Sequence, residues 1–190
     1  MDIIKFNKFI GILKTIERTG WVRNNIPHPE SVAEHSFRTG ILAMLLAKEM
    51  NVDPLKSIKM ALIHDIGESI IGDIVTERAG TKISENLAQS KKEKESRAIK
   101  RIFSSLSKEG EEYIKLFDEF EEDRTPEARF VKQLDKLEMA IQAYEYESKY
   151  GLDLEEFYTT ARTRIKDKKI MGVYAHLLGS VNTNSTLIKG

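Results

Sequence analysis

Residues 53–73 read DPLKSIKMALIHDIGESIIGD, and the fold class follows from how this stretch is parsed. Asp53 and Pro54 stand in the order of a helix N-cap and first helical position. A short acceptor side chain caps free amides, and proline needs no amide donor there. The apolar run Met60, Ala61, Leu62 and Ile63 carries the helix into His64, and Gly67 marks its end. A chain with four histidines thus sets one of them beside an aspartate at the edge of buried surface. That position is costly for both groups unless each finds a partner or a metal.

Helical periodicity continues on both sides. Phe6, Phe9, Ile10, Leu13 and Ile16 recur at steps of three and four, which predicts an amphipathic helix stopping near Gly20. Residues 18–30, RTGWVRNNIPHPE, hold two prolines, a glycine and two asparagines and read as an ordered loop. Ser31 with Glu34 is a capping-box pair opening a helix to Met50. Its centre, ILAMLLA, is apolar on nearly every side, which predicts the most buried helix of the fold.

Residues 81–89 read as a loop or frayed start, followed by charged helices over 91–106 and 109–122. The alternating charges of KKEKE at 91–95 predict a solvated helix face. Thr125-Pro126-Glu127 starts another long helix, Gly151 ends it, and shorter helices follow over 154–166 and 168–178. No strand pattern, internal repeat or linker is evident. The expectation is a single all-α domain over residues 1–180, with a disordered tail at 181–190.

Lysine plus arginine equals aspartate plus glutamate at 30 each, which predicts no general attraction to polymeric nucleic acid or to anionic membrane. Without cysteine, any metal must be held by nitrogen and oxygen. The apolar run at 41–47 is far too short to span a bilayer, and the N-terminus does not resemble a signal peptide. A cytoplasmic protein is expected.

A second histidine, His35, falls within the helix opened by Ser31. The helix from Thr125 adds Asp135, beside the stripe Phe130, Leu134, Leu137, Ile141 and Tyr144. Singly, each has an ordinary reading as a satisfied core histidine or a surface acid. Together, His35, His64, Asp65 and Asp135 make two imidazoles and two carboxylates from three helices, a set suited to a divalent first-row metal with open positions. The competing HExxH motif fails, because Arg38 and Thr39 stand where its second histidine would fall.

The pattern His35…His64-Asp65…Asp135 resembles the H…HD…D signature of the HD-domain metal-dependent phosphohydrolases. HDIGESIIGD, with ESVAEHSFR at 30–38 and FVKQLDKLEMA at 130–140, resembles their 5′-deoxynucleotidase branch, and the likeness runs from about residue 18 to about 158. It implies an HD-domain helical bundle in which those four residues hold Mn, Co or another first-row ion. The implied activity is removal of the 5′-phosphate from (deoxy)ribonucleoside 5′-monophosphates by metal-activated water.

The resemblance also makes Glu68 the general acid/base and Arg18, placed at the end of the first helix, the grip on the 5′-phosphate. Asp73 would accept a hydrogen bond from the sugar 3′-hydroxyl, with Thr76 lining the pocket, and the protein would be a homodimer. One departure concerns the sugar. The bacterial relatives place a tryptophan directly after that arginine, where it crowds the ribose 2′ position. Here Thr19 and Gly20 follow and the tryptophan is Trp21, which reads as a packing anchor, so selection of deoxyribose is not implied. The alternatives are an HD-type phosphohydrolase of nucleoside triphosphates or alarmones, and a non-catalytic helical scaffold with a structural metal.

Overall fold

The computed structural model describes residues 2–75, 85–106 and 108–187. Among these residues the protein is helical, with no strand and one isolated bridge between Glu17 and Ser31. The all-α expectation is borne out. The chain divides into two compact units, Met1–Val131 and Lys132–Gly190.

The first unit contains α1 (Ile3–Leu13), α2 (Thr19–Arg23), α3 (Val32–Leu46), α4 (Pro54–Ile63), α5 (Glu68–Ile71), α6 (Glu85–Phe103) and α7 (Lys108–Glu121). It also holds the first residues of α8 (Pro126–Tyr150). The local signals at helix starts are realised atom by atom. Ser31 Oγ accepts from the Glu34 amide while Glu34 accepts from the Ser31 amide at 2.6 Å, a closed capping box. Asp53 accepts from the Lys56 amide with Pro54 next to it, and Thr125 Oγ1 accepts from the Ala128 amide. Each such cap contributes about 1 kcal/mol.

Two parts of the first unit differ from the sequence expectation. Residues 18–30 are not loop throughout, because Thr19–Arg23 forms α2 with Arg18 as its N-cap, so Arg18 does not end the first helix. Nor is α3 buried on nearly every side. Phe37 and Leu45 keep 64% and 62% of their exposure, and Met44 is exposed as well. An apolar run cannot distinguish a helix buried all round from one whose outer face lacks cover. The inner face of α3 meets α4 closely, since a Cβ on Gly40 would stand 3.0 Å from Leu62 Cδ2. That approach sets the axis carrying His35 beside the axis that ends at His64.

Helix α6 starts at Glu85, within the segment expected as loop or frayed helix, and residues 76–84 lie outside the described residues. It closes with a 3-10 turn over Ser104–Leu106 before α7. A Cβ on Gly110 would collide with the Phe103 carbonyl, so only glycine lets α7 come this close to the end of α6.

The second unit contains the rest of α8, α9 (Glu155–Arg164) and α10 (Lys168–Leu187). Gly151, at φ +67°, stops α8 as expected. Glu147 anchors the following turn, accepting from the Leu154 amide at 2.8 Å and from the Tyr158 hydroxyl at 2.9 Å. Tyr174 donates to the Tyr158 carbonyl at 2.8 Å, which ties α10 to α9. Helix α10 runs on to Leu187, into the segment expected as a tail, and residues 188–190 lie outside the described residues.

Candidate metal and phosphate site

His35 sits on the inner face of α3, fully buried, and His64 caps the C-terminus of α4 at 5% exposure. Their rings lie 5.3 Å apart, and Phe120 meets His64 edge-on at 5.4 Å. The next residue, Asp65, turns its carboxylate toward both. Asp65 Oδ2 is 3.2 Å from His64 Nε2 and 3.7 Å from His35 Nε2. The same oxygen accepts from Arg18 Nη1 at 3.1 Å. Burial alone would raise the Asp65 pKa. When the imidazoles carry protons, the charge and hydrogen bond of His64, then the charges of Arg18 and His35, outweigh it and hold the carboxyl well below the usual carboxylate range.

The ring of His64 tests whether a cation belongs here. Its Nδ1 lies 2.7 Å from the Ala61 carbonyl, an acceptor that places a proton on Nδ1. Its Nε2 is buried and makes no hydrogen bond. In the neutral form that a ligating imidazole must take, the lone pair of Nε2 faces a carboxylate oxygen at 3.2 Å, two acceptors with nothing between them to donate. A metal resolves that opposition, and a carbonyl on the far nitrogen is the usual way of orienting a ligating imidazole. Nitrogen and oxygen donors of this kind fit a divalent first-row ion.

Glu68 follows one turn later, at the first position of α5. It is only 2% exposed, and its Oε2 makes no hydrogen bond. A solvated helix-end glutamate would not look like this. Burial, then the nearby carboxylates of Asp65 and Asp73, push its pKa well above the ordinary value, with Arg18 and Lys91 opposing. Gly72 then takes φ +77°, a conformation open to glycine, and turns the chain so that Asp73 meets the start of α2. The Thr19 amide donates to Asp73 Oδ2 at 2.6 Å, and the Thr19 hydroxyl donates to the Asp73 carbonyl at 2.7 Å.

Residues 10–172 match the HD domain family. The chain belongs to that family. It is similar to the 5′-deoxynucleotidase HDDC2 of Dictyostelium discoideum, with 39% identity over 174 residues covering 85% of this chain and 88% of the relative. The human 5′-deoxynucleotidase HDDC2 is 34% identical over 188 residues, covering 96% and 88%. Among solved structures, a conserved hypothetical protein from Pyrococcus furiosus is similar at a TM-score of 0.73 and 34% identity, covering 96% of this chain and 99% of that one.

Of the residues singled out in sequence, the first unit of this HD domain brings together Arg18, His35, His64 and Asp65, with Glu68 and Asp73 beside them. Asp135 belongs to the second unit, a half-buried α8 residue paired with Lys136 at 3.0 Å. Thr76 lies outside the described residues. Trp21 is 1% exposed and donates from Nε1 to Glu30 at 2.9 Å, so its packing role is borne out and its ring has no face for a base. The sequence gives no sign that Thr19 holds Asp73. A lone threonine after an arginine carries no periodic or spacing signal, and its contact to Asp73 spans 54 residues.

Proposed function

We propose that this HD domain, extending over residues 1–180, is a metal-dependent phosphohydrolase that removes the 5′-phosphate from deoxyribo- and ribonucleoside 5′-monophosphates. The observation that carries the reading is the convergence of two imidazole nitrogens and the Arg18 guanidinium on the single oxygen Asp65 Oδ2. A cation site and an anion grip share one wall, which suits a phosphate. The curated relatives named 5′-deoxynucleotidase point to the same substrate class.

His35, His64, Asp65 and Asp135 would hold the ion, with Mn and Co the first candidates. When bound, such an ion supplies Lewis acidity toward a phosphate oxygen and acidifies water. Arg18 offers a planar fork of donors to the phosphate, with one arm already braced by Asp65. Glu68, its pKa raised by burial and by Asp65 and Asp73, is placed to take up a proton and pass it to the departing 5′-oxygen. Asp73 commits Oδ2 to Thr19 and keeps its other oxygen for the sugar 3′-hydroxyl, with Thr76 lining the same pocket.

Trp21 is buried against Glu30, so crowding of a ribose 2′-hydroxyl would have to come from another side chain. Among the described residues no helix is long and apolar enough to cross a membrane. A chain without cysteine that acts on small nucleotides suits the cytoplasm. The resemblance implies a homodimer, and the exposed Phe37, Met44 and Leu45 of α3 offer apolar surface for it.

The deciding experiment measures phosphate release from paired deoxy and ribo 5′-monophosphates, using metal-stripped protein re-supplied with Mn, Co, Mg or Zn. Metal-dependent release is expected. Comparable rates on the two sugars would keep the phosphatase and remove the deoxy preference. Release of pyrophosphate or tripolyphosphate from longer nucleotides, with none from monophosphates, would overturn the proposal.

A further inference from the structure

The segment KKEKE at 91–95 does not behave as one solvated face. Lys92, Glu93 and Lys94 are exposed, but Lys91 and Glu95, one turn apart, are turned inward. Their side chains retain 21% and 14% of exposure and pair at 3.4 Å. The inward face of α6 continues through the buried Ala98, Ile99 and Ile102. It packs on the turn that joins Asp65 to Glu68. The Glu95 carbonyl oxygen, Ala98 Cβ and Ile99 Cδ1 each stand 3.8 Å from where a Cβ on Gly67 would lie. Gly67, between Ile66 and Glu68, is thus covered by α6, and Lys91 lies one turn back on that face.

Lys91 has three ammonium donors, and among the described residues they meet one carboxylate, Glu95, at a distance longer than a good charge-assisted bond. Its charge is felt by Glu68, and it in turn feels Asp65 and Glu68. These carboxylates outweigh the burial cost of the ammonium, and its remaining donors stay open to an anion that enters the site. A phosphomonoester is close to a dianion at neutral pH. It enters a site lined by Asp65, Glu68 and Asp73, where Arg18 is the one cationic side chain so far assigned to it besides the proposed ion.

We propose that Lys91 is a second phosphate-binding cation of this site, positioned by Glu95, and that it contacts the phosphate of the bound nucleotide. The assignment rests on the monophosphate phosphohydrolase reading. Arg18 supplies directional donors, and Lys91 supplies a point charge that can follow the phosphate as its oxygens shift. Glu95 is a positioning residue: it keeps the ammonium on the side of α6 that faces the turn.

The test compares wild type, Lys91→Met, Lys91→Arg and Glu95→Gln, each loaded with Mn. Three quantities are read: kcat and KM on a deoxynucleoside 5′-monophosphate, the inhibition constant of inorganic phosphate, and the thermal midpoint. Loss of a charge-assisted contact predicts that Lys91→Met weakens phosphate inhibition about tenfold and lowers kcat/KM by at least as much. Lys91→Arg should recover part of both, and Glu95→Gln should shift both less, with thermal midpoints close to wild type. Unchanged phosphate inhibition in Lys91→Met would overturn the assignment. So would losses in Lys91→Met and Lys91→Arg that merely track a lowered thermal midpoint. If wild type itself neither releases phosphate nor is inhibited by it, the phosphohydrolase reading falls and Lys91 falls with it. If wild type turns over and Lys91→Met matches it, only the lysine is wrong.

Discussion

The Thr19 amide reaches Asp73 Oδ2 at 2.6 Å, so the residue after Arg18 is fastened to the loop that leaves α5. The Thr19 hydroxyl adds a second bond, to the Asp73 carbonyl at 2.7 Å. Thr19→Val keeps the amide bond and removes the hydroxyl bond at nearly constant volume. One part-buried hydrogen bond is worth about 1 kcal/mol. Steady-state kinetics on a deoxynucleoside 5′-monophosphate should show KM rising about fivefold with kcat little changed. An unchanged KM would mean that the Asp73 loop is held without this clamp.

Glu68 is buried with one carboxylate oxygen unbonded. Glu68→Gln preserves shape and removes both the charge and the transferable proton. General acid–base groups contribute about 10²- to 10⁴-fold, so kcat should fall within that range. Folding should not suffer, because a carboxylate disfavoured by burial and by Asp65 and Asp73 is replaced by a neutral group. Metal content by elemental analysis should equal that of wild type. If Glu68→Gln lost metal as fully as His64→Ala, Glu68 would be a ligand and the site a closed, structural one.

His64 gives a stability readout that needs no substrate. A ligand present at one hundred times its dissociation constant stabilises a fold by about 2.7 kcal/mol. Mn or Co should therefore raise the thermal midpoint of stripped wild-type protein by several degrees, and chelator should reverse the rise. In His64→Ala the Nε2 that faces Asp65 at 3.2 Å is gone. The midpoint should then be the same with and without metal. A full metal-induced shift in that variant would remove His64 from the ligand set.

Much of this arrangement is legible in sequence because it rests on local rules. The Ser31–Glu34 box, the Asp53-Pro54 start and the Gly151 stop each involve residues within a few positions of one another. The two histidines and Asp65 were found through a motif and through the cost of burying them. What escaped depends on contacts distant in sequence or on the orientation of a face. The exposure of Phe37 and Leu45 depends on which face of α3 is turned inward, which an apolar run cannot report. Lys91 and Glu95 share a face with Ala98 and Ile102, so the helical period could have separated them from Lys92–Lys94. The alternating charges of KKEKE masked that period. Helix α2 was hidden because glycine, asparagine and proline around it signal a loop more strongly than five residues signal a helix.

The capping box of α3 supplies a pH test of the fold itself. The bond from the Ser31 backbone amide, then that from its hydroxyl, lowers the Glu34 pKa, and Arg38 adds to this against a small burial cost. A carboxyl whose folded pKa lies below its unfolded value of about 4.5 binds fewer protons when folded. Its contribution is fully present above the unfolded value and is lost as pH falls through the lower, folded value. Glu34→Gln keeps a capping side chain but cannot titrate. Because Glu34 is solvent-exposed, the stability difference between wild type and Glu34→Gln should be only about 0.5 kcal/mol at pH 7. Urea denaturation at intervals from pH 7 to pH 3 should show that difference shrinking toward zero below the ordinary carboxylate range. A difference that stayed constant or grew in acid would show that the charge on Glu34 does not hold the start of the helix that carries His35.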